Sequence, residues 1–203
     1  MYALVEDNEI IKIINNPKAM IINDVQYPAK IFQLWSKDEL NAIGIYEIVT
    51  DSTNKKDEAY YINTNEEYNF ADGQVTRSWG TATPKRLEDE NAVDENGDPV
   101  LDDDGLQLIN YGLKTEKKRI VKQQASGLLE KTDWHNHKAL DDDTYTIPEN
   151  IKTYRANVRA KSNEMESQIN ACTNVDELKA LYEYTEQEDG TITRPLAEFP
   201  EEI

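Results

Sequence analysis

Ser126-Gly127-Leu128-Leu129-Glu130-Lys131-Thr132-Asp133-Trp134 closes one helical pattern, and Thr144-Tyr145-Thr146-Ile147-Pro148-Glu149-Asn150-Ile151 opens another. Within Gly112 to Cys172 these two runs predict a two-helix hairpin with a corner at Thr-Asp-Trp, where the Trp134 ring is expected to close the hairpin end, followed by a polar connector. Before the corner, Leu113, Lys117, Ile120, Val121, Gln124, Leu128 and Leu129 recur at three- and four-residue steps, which places the apolar members on one helical face. Lys114, Lys117, Lys118, Arg119 and Lys122 make the other face basic, with Glu116 the sole acid before Glu130.

Beyond the corner, Thr146 and Glu149 have capping-box spacing, and Pro148 falls in a first turn, where its missing N–H breaks no bond. The stripe Tyr154, Val158, Met165, Ile169, Cys172 then asks for a partner, and the preceding helix is nearest. Thr173 to Leu178 announces a third, short helix, with Thr173 as cap and Val175, Leu178 and Leu181 as its buried side.

The order Leu128-Leu129, Thr132-Asp133-Trp134, Ile147-Pro148, Tyr154-Arg155, Asp176-Glu177-Leu178 resembles the C-terminal module of bacteriophage tail assembly chaperones and tail-fibre assembly proteins, over roughly the last ninety residues. Trp35 to Tyr46 also resembles a segment found near the start of phage tail proteins. The resemblance implies a non-enzymatic protein without cofactor or metal. Its partners would be tail-fibre or other tail proteins, and its location the virion tail or the host cytoplasm during assembly. It also implies an interaction surface on Leu128, Leu129, Thr132, Asp133, Trp134, Tyr154 and Arg155. The chain departs from the pattern at His135-Asn136-His137-Lys138, where an arginine-bearing segment is expected, so the contact surface beside the corner is expected to differ.

Composition narrows the alternatives. With 40 acidic and 22 basic residues in 203, the field of the chain repels phosphate backbones and anionic headgroups, so neither nucleic acid nor membrane is expected as partner. One cysteine, Cys172, excludes an internal disulfide; on the helical stripe it reads as a small buried hydrophobe. No apolar run approaches the ~20 residues of a membrane helix. Met1 to Asp7 lacks a signal peptide's basic flank, so a protein retained in the cytoplasm, or in a particle assembled there, is expected.

Residues 1–50 read as an N-terminal β-rich domain. Asp7-Asn8 and Asn23-Asp24 each join two short strands, and Ser36 with Glu39 caps a short helix through Ala42. Gly44 stops that helix before the strand Ile45 to Val49. Trp35 precedes the cap as a packing staple. Residues 51–84 read as a linker and a middle β-hairpin about Asp72-Gly73, with Trp79 covering it. That hairpin must dock on something, since one alone is marginal in water. Residues 85–111 read as an acidic, mobile connector with nine acids and one base between Arg86 and Asp104. Residues 112–182 are the helical module. Residues 183–203 are an acidic tail, in which Thr193 to Pro200 reads as a docking arm that its prolines keep out of helix.

Chemical sites are sparse. Asp94, Asn96 and Asp98 alternate as calcium ligands do, but Pro99 replaces the required glycine and Gly105 the bidentate glutamate; a solvated turn fits better. Asp133, His135 and His137 lack the further ligands zinc needs. Cys172 is remote from either histidine, and the eight glycines form no phosphate cradle. The expectation is α+β: an N-terminal antiparallel β segment with a short helix, a middle β-hairpin, and a C-terminal helical hairpin plus short helix. A tail-associated assembly protein is the leading reading. A permanent virion adaptor of tail or baseplate, with strand pairing between chains and a homo-oligomer in the particle, is the rival; a small enzyme would need a well-formed pocket.

Overall fold

The computed structural model describes residues 1–203 and is α+β, in two compact units, Met1–Pro84 and Lys85–Ile203. In the first unit the chain runs β1 (Tyr2–Glu6), β2 (Glu9–Ile14), β3 (Met20–Ile22), β4 (Val25–Tyr27), α1 (Ile31–Leu34), α2 (Lys37–Asn41) and β5 (Ile45–Thr50). It continues with β6 (Tyr61–Ile62), β7 (Glu67–Ala71), β8 (Gln74–Ser78) and β9 (Thr83–Pro84). Asp7-Asn8, Asn23-Asp24 and Asp72-Gly73 all have positive φ at both central positions. These are the turns that match the right-handed twist of the strands they join. The Ser36 capping box forms in full, and its bond to the Ser36 backbone N–H holds the Glu39 carboxyl below the usual range.

Strands β2-β1-β5-β8-β7 form one sheet, so the expected boundary at residue 50 does not divide the fold. Nor is the sheet wholly antiparallel: β5 and β8 are parallel, with Ile48 opposite Val75 and Thr50 opposite Arg77. Parallel neighbours need a long crossover, and residues 51–73 supply it, so the expected linker is the start of that crossing. It is ordered by Asp51, which accepts from Thr53 N and Oγ1, and by Asn63, which exchanges two hydrogen bonds with the Lys56 backbone.

Strand β1 is buried on both faces, as its unbroken apolar run allows. Ala3 and Val5 join Ile48 and Val75, flanked by Ile10, Ile13, Tyr46, Tyr68 and Phe70. Leu4 joins Ile14, Ile22, Ile31, Phe32, Leu40 and Ile45 on the other side, where Trp35 packs edge-on to Tyr27. The sheet curls until its edge strands β2 and β7 approach each other. Trp79 is buried beneath the Arg77 guanidinium and the Lys55 ammonium.

The second unit comprises β10 (Glu90–Asn91), β11 (Ile109–Asn110), α3 (Leu113–Glu130), α4 (Asp133–Asp141), α5 (Glu149–Ala171), α6 (Val175–Ala180), β12 (Thr185–Glu186) and β13 (Ile192–Thr193). The acidic connector is not irregular chain. Val93 to Val100 and Leu101 to Leu108 are two copies of one eight-residue turn, an internal repeat that the sequence reading passes over. In each copy an aspartate, Asp94 or Asp102, accepts from the backbone N–H groups two and four residues ahead, with Gly97 or Gly105 at positive φ. The backbone closes in a ring: Ala92 donates to Leu108, Leu108 to Val100, and Val100 to Ala92. Gln107 spreads its amide N–H groups over those same three carbonyls at 2.8–3.1 Å.

Helix α3 starts where the chain before that ring crosses it. Leu113 and Lys114 donate to the Arg86 and Leu87 carbonyls, and Gly112 N and Thr115 Oγ1 donate to Asp89. These contacts satisfy first-turn donors that no side chain of α3 caps, and they place an anion at the positive helix end. The buried positions of α3 are Lys114, Val121 and Ala125, so its inward face is rotated from the expected one. Ile120 and Gln124 are exposed. The basic face is also opposed: Lys114 meets Glu88, Lys118 meets Asn170, Arg119 meets Glu116, Lys122 meets Glu166, and Lys117 lies over Tyr182.

The corner as a candidate interaction site

Helix α5 runs antiparallel to α3, and its predicted stripe is buried throughout: Tyr154, Val158, Met165, Ile169 and Cys172. Val158, Met165 and Ile169 have no exposed surface, each contributing roughly 1.5–3 kcal/mol by burial. The helix begins without a side-chain cap, at Pro148, so the Thr146–Glu149 capping box does not form. At its far end Asn174, not Thr173, caps α6 through the Glu177 N–H, while Thr173 N and Oγ1 donate to the Glu177 carboxylate.

At the corner the Arg155 side chain, 9% exposed, reaches across from the first turns of α5. One guanidinium nitrogen donates to the Leu129 carbonyl (2.8 Å) and to Thr132 Oγ1 (2.6 Å), and the other meets Asp133 Oδ1 at 2.7 Å. Thr132 Oγ1 itself donates to Leu129 O. A cation thus neutralises the negative end of α3 while gripping the first residue of α4. Thr132, Tyr154 and Arg155 are buried, and Leu128, Leu129 and Asp133 are half-buried. Six of the seven expected interaction residues therefore build the corner from within.

Trp134 is the seventh, and it is 54% exposed. The expected polar connector is in part helix α4, and with Asp133 as its first residue the helical rotation turns His135 inward and Trp134 outward. The indole does not close the hairpin. It stacks on the His135 ring at 3.7 Å between centroids, and His135 Nδ1 lies 2.5 Å from the Tyr145 hydroxyl. Tyr145 is set by the turn before it: Asp142 accepts from Thr144 N and Oγ1, which holds its carboxyl below the usual range, and Tyr145 N donates to Asp142 O. Lys138 covers the Tyr145 ring. Leu140, on the same helix, is 80% exposed.

Reactive chemistry finds little footing here. His135 is occupied by Tyr145 and His137 faces solvent, so the pair does not converge. The Cys172 thiol is buried and donates to Gln168 O; burial, with the Glu177 charge beside it, pushes its pKa up, away from thiolate. No cluster of three or more His, Cys, Asp or Glu is placed to hold a metal ion. No helix is long and apolar enough to cross a membrane. What the corner offers is a cross-braced platform with an aromatic ring in solvent.

Sequence reasoning missed Gln168, and it weighed His135 only as a departure from the family pattern and as a metal ligand; Leu196 lies in the expected docking arm, Thr193 to Pro200. Gln168 clasps the C-terminal segment and Leu196 is 2% exposed. What the sequence did not name is the surface on which that arm docks, or its two apolar seats at Leu196 and Phe199. Comparison with protein-family models, curated proteins and solved structures returned no match.

Proposed function

We propose that this chain is a bacteriophage tail-associated, non-enzymatic protein that binds a tail-fibre or other tail component during or after virion assembly. The observation that carries the reading is the position of Trp134. It lies inside the sequence pattern that resembles tail assembly chaperones, and its exposed ring rides on a corner braced by Arg155. Tryptophan is among the residue types that dominate binding energy between proteins once a partner's pocket takes it out of water. A net charge of −18 suits a solubilising partner for an aggregation-prone fibre end.

Tagged chain recovered from infected cells is expected to bring down a tail-fibre or tail protein, and removal of residues 112–203 is expected to abolish fibre or tail assembly. Normal particles from that deletion would reject the reading. Detection of the chain in purified particles at fixed stoichiometry would identify a retained adaptor of tail or baseplate instead of a transient chaperone.

A further inference from the structure

The C-terminal segment lies on the helical module as an extended peptide lies on a receptor. From Arg194 to Glu202 it forms no strand and no helix. Leu196 is the buried anchor, and its N–H donates to the Leu181 carbonyl at 3.0 Å. The Gln168 side chain on α5 brackets that anchor: its Nε2 donates to Pro195 O (3.0 Å) and its Oε1 accepts from Ala197 N (2.8 Å). Three residues on, Phe199 packs half-buried against Ala125, Tyr154 and Val158, beside Leu128 and Leu129. Glu202 then reaches Lys131, next to the corner. Running back along α5, the segment covers the apolar groove between α5 and α3.

Two features make this contact separable from the core. A side-chain amide that offers one donor and one acceptor to a backbone holds any extended chain in the manner of strand addition, so specificity rests on the Leu196 and Phe199 seats. The strap is also joined to α6 through the short β12–β13 hairpin, all of whose paired residues are exposed. Nine ordered residues set against one fully buried side chain place this segment among the least protected parts of its unit.

We propose that residues 194–202 are the resident occupant of a peptide-docking groove, which a partner enters by displacing them with an extended segment of the same chemistry. That segment carries an aliphatic and an aromatic residue three positions apart, prolines that keep it out of helix, and an acid that reaches Lys131. Displacement uncovers the Ala125, Tyr154 and Val158 seat of Phe199, which Leu128 and Leu129 border. The inference rests on the helical module being the partner-binding part of the chain.

The probe is a synthetic peptide of residues 194–203. It is expected to bind a chain ending at Thr193 at least about tenfold more tightly than the full chain, whose own strap competes. Leu196→Ser with Phe199→Ser in the peptide, or Gln168→Leu in the shortened chain, should each weaken binding by about tenfold or more. In the intact protein, the Leu196 and Ala197 amides should exchange with deuterium at least about a hundredfold faster than those of Met165 and Ile169, reporting local release. Failure of the peptide to bind a still-helical shortened chain, equal binding by both chains, or exchange of the strap in step with α5 would each overturn the proposal. No phage component is used, so failure of the groove and failure of the tail-protein reading are read separately.

Discussion

Arg155 Nη2 lies 2.7 Å from Asp133 Oδ1, although the residues belong to different helices, one buried and one half in water. The asymmetry decides what each contributes. Arg155 also serves the Leu129 carbonyl and Thr132 Oγ1, so its loss removes three contacts at once, whereas an asparagine at position 133 still offers the guanidinium an amide oxygen. Arg155→Met is therefore expected to lower unfolding stability by about 2–4 kcal/mol. Asp133→Asn should cost about 1 kcal/mol. Urea denaturation of the two variants tests the ordering, and equal costs would mean that the guanidinium is not the staple described.

Gly112→Ala tests the seat of α3. The φ of Gly112 is −86°, ordinary for any residue, but an added Cβ would stand 2.4 Å from the Glu88 carbonyl oxygen and 2.5 Å from that of Leu87. Backbone must move to admit it, at about 1–3 kcal/mol. Gly127→Ala on the same helix meets nothing within 4 Å and should stabilise by about 0.5–1 kcal/mol. Thermal unfolding of the pair is expected to give shifts of opposite sign, and a Gly112→Ala chain as stable as the parent would contradict the close crossing at Leu87–Glu88.

Acid should loosen the α5–α6 joint through Glu177. Its carboxyl is held below the ordinary range first by the Thr173 N–H, then by the Thr173 hydroxyl and Asn174. A lowered folded pKa means the stabilisation is fully present above the ordinary glutamate value of ~4.3 and is lost as pH falls through the folded value. The stability gap between the parent chain and Glu177→Gln should thus close as the pH falls below about 4.3. A gap independent of pH in chemical denaturation would show that the charge plays no part.

Trp134→Ala separates binding from folding. The ring is half in solvent, and its ring contacts are the stack on His135 and a tilted approach to Tyr145, so the loss of stability should be about 1 kcal/mol. Capture of the tail component should fall at least about tenfold. A variant that binds as the parent does would remove Trp134 from the interface.

Much of the molecule is written locally. Asp7-Asn8, Asn23-Asp24 and Asp72-Gly73 tolerate the positive φ of tight hairpins, Ser36 and Glu39 complete their own cap, and the Tyr154–Cys172 stripe names its buried face. Each needs only neighbours a few residues away, and so each was legible. What was not legible depended on segments far apart in the chain. Parallel pairing of β5 with β8 required a crossover from residues that resemble a linker, and Ile120 was left outside because Lys114 and Val121 took the packed face of α3. That Trp134 lies in solvent and His135 inside was illegible for the same reason. Hydrophobicity favours burying the indole, but Arg155 fixes Asp133 at the head of α4, and from there the 3.6-residue turn decides which ring meets water.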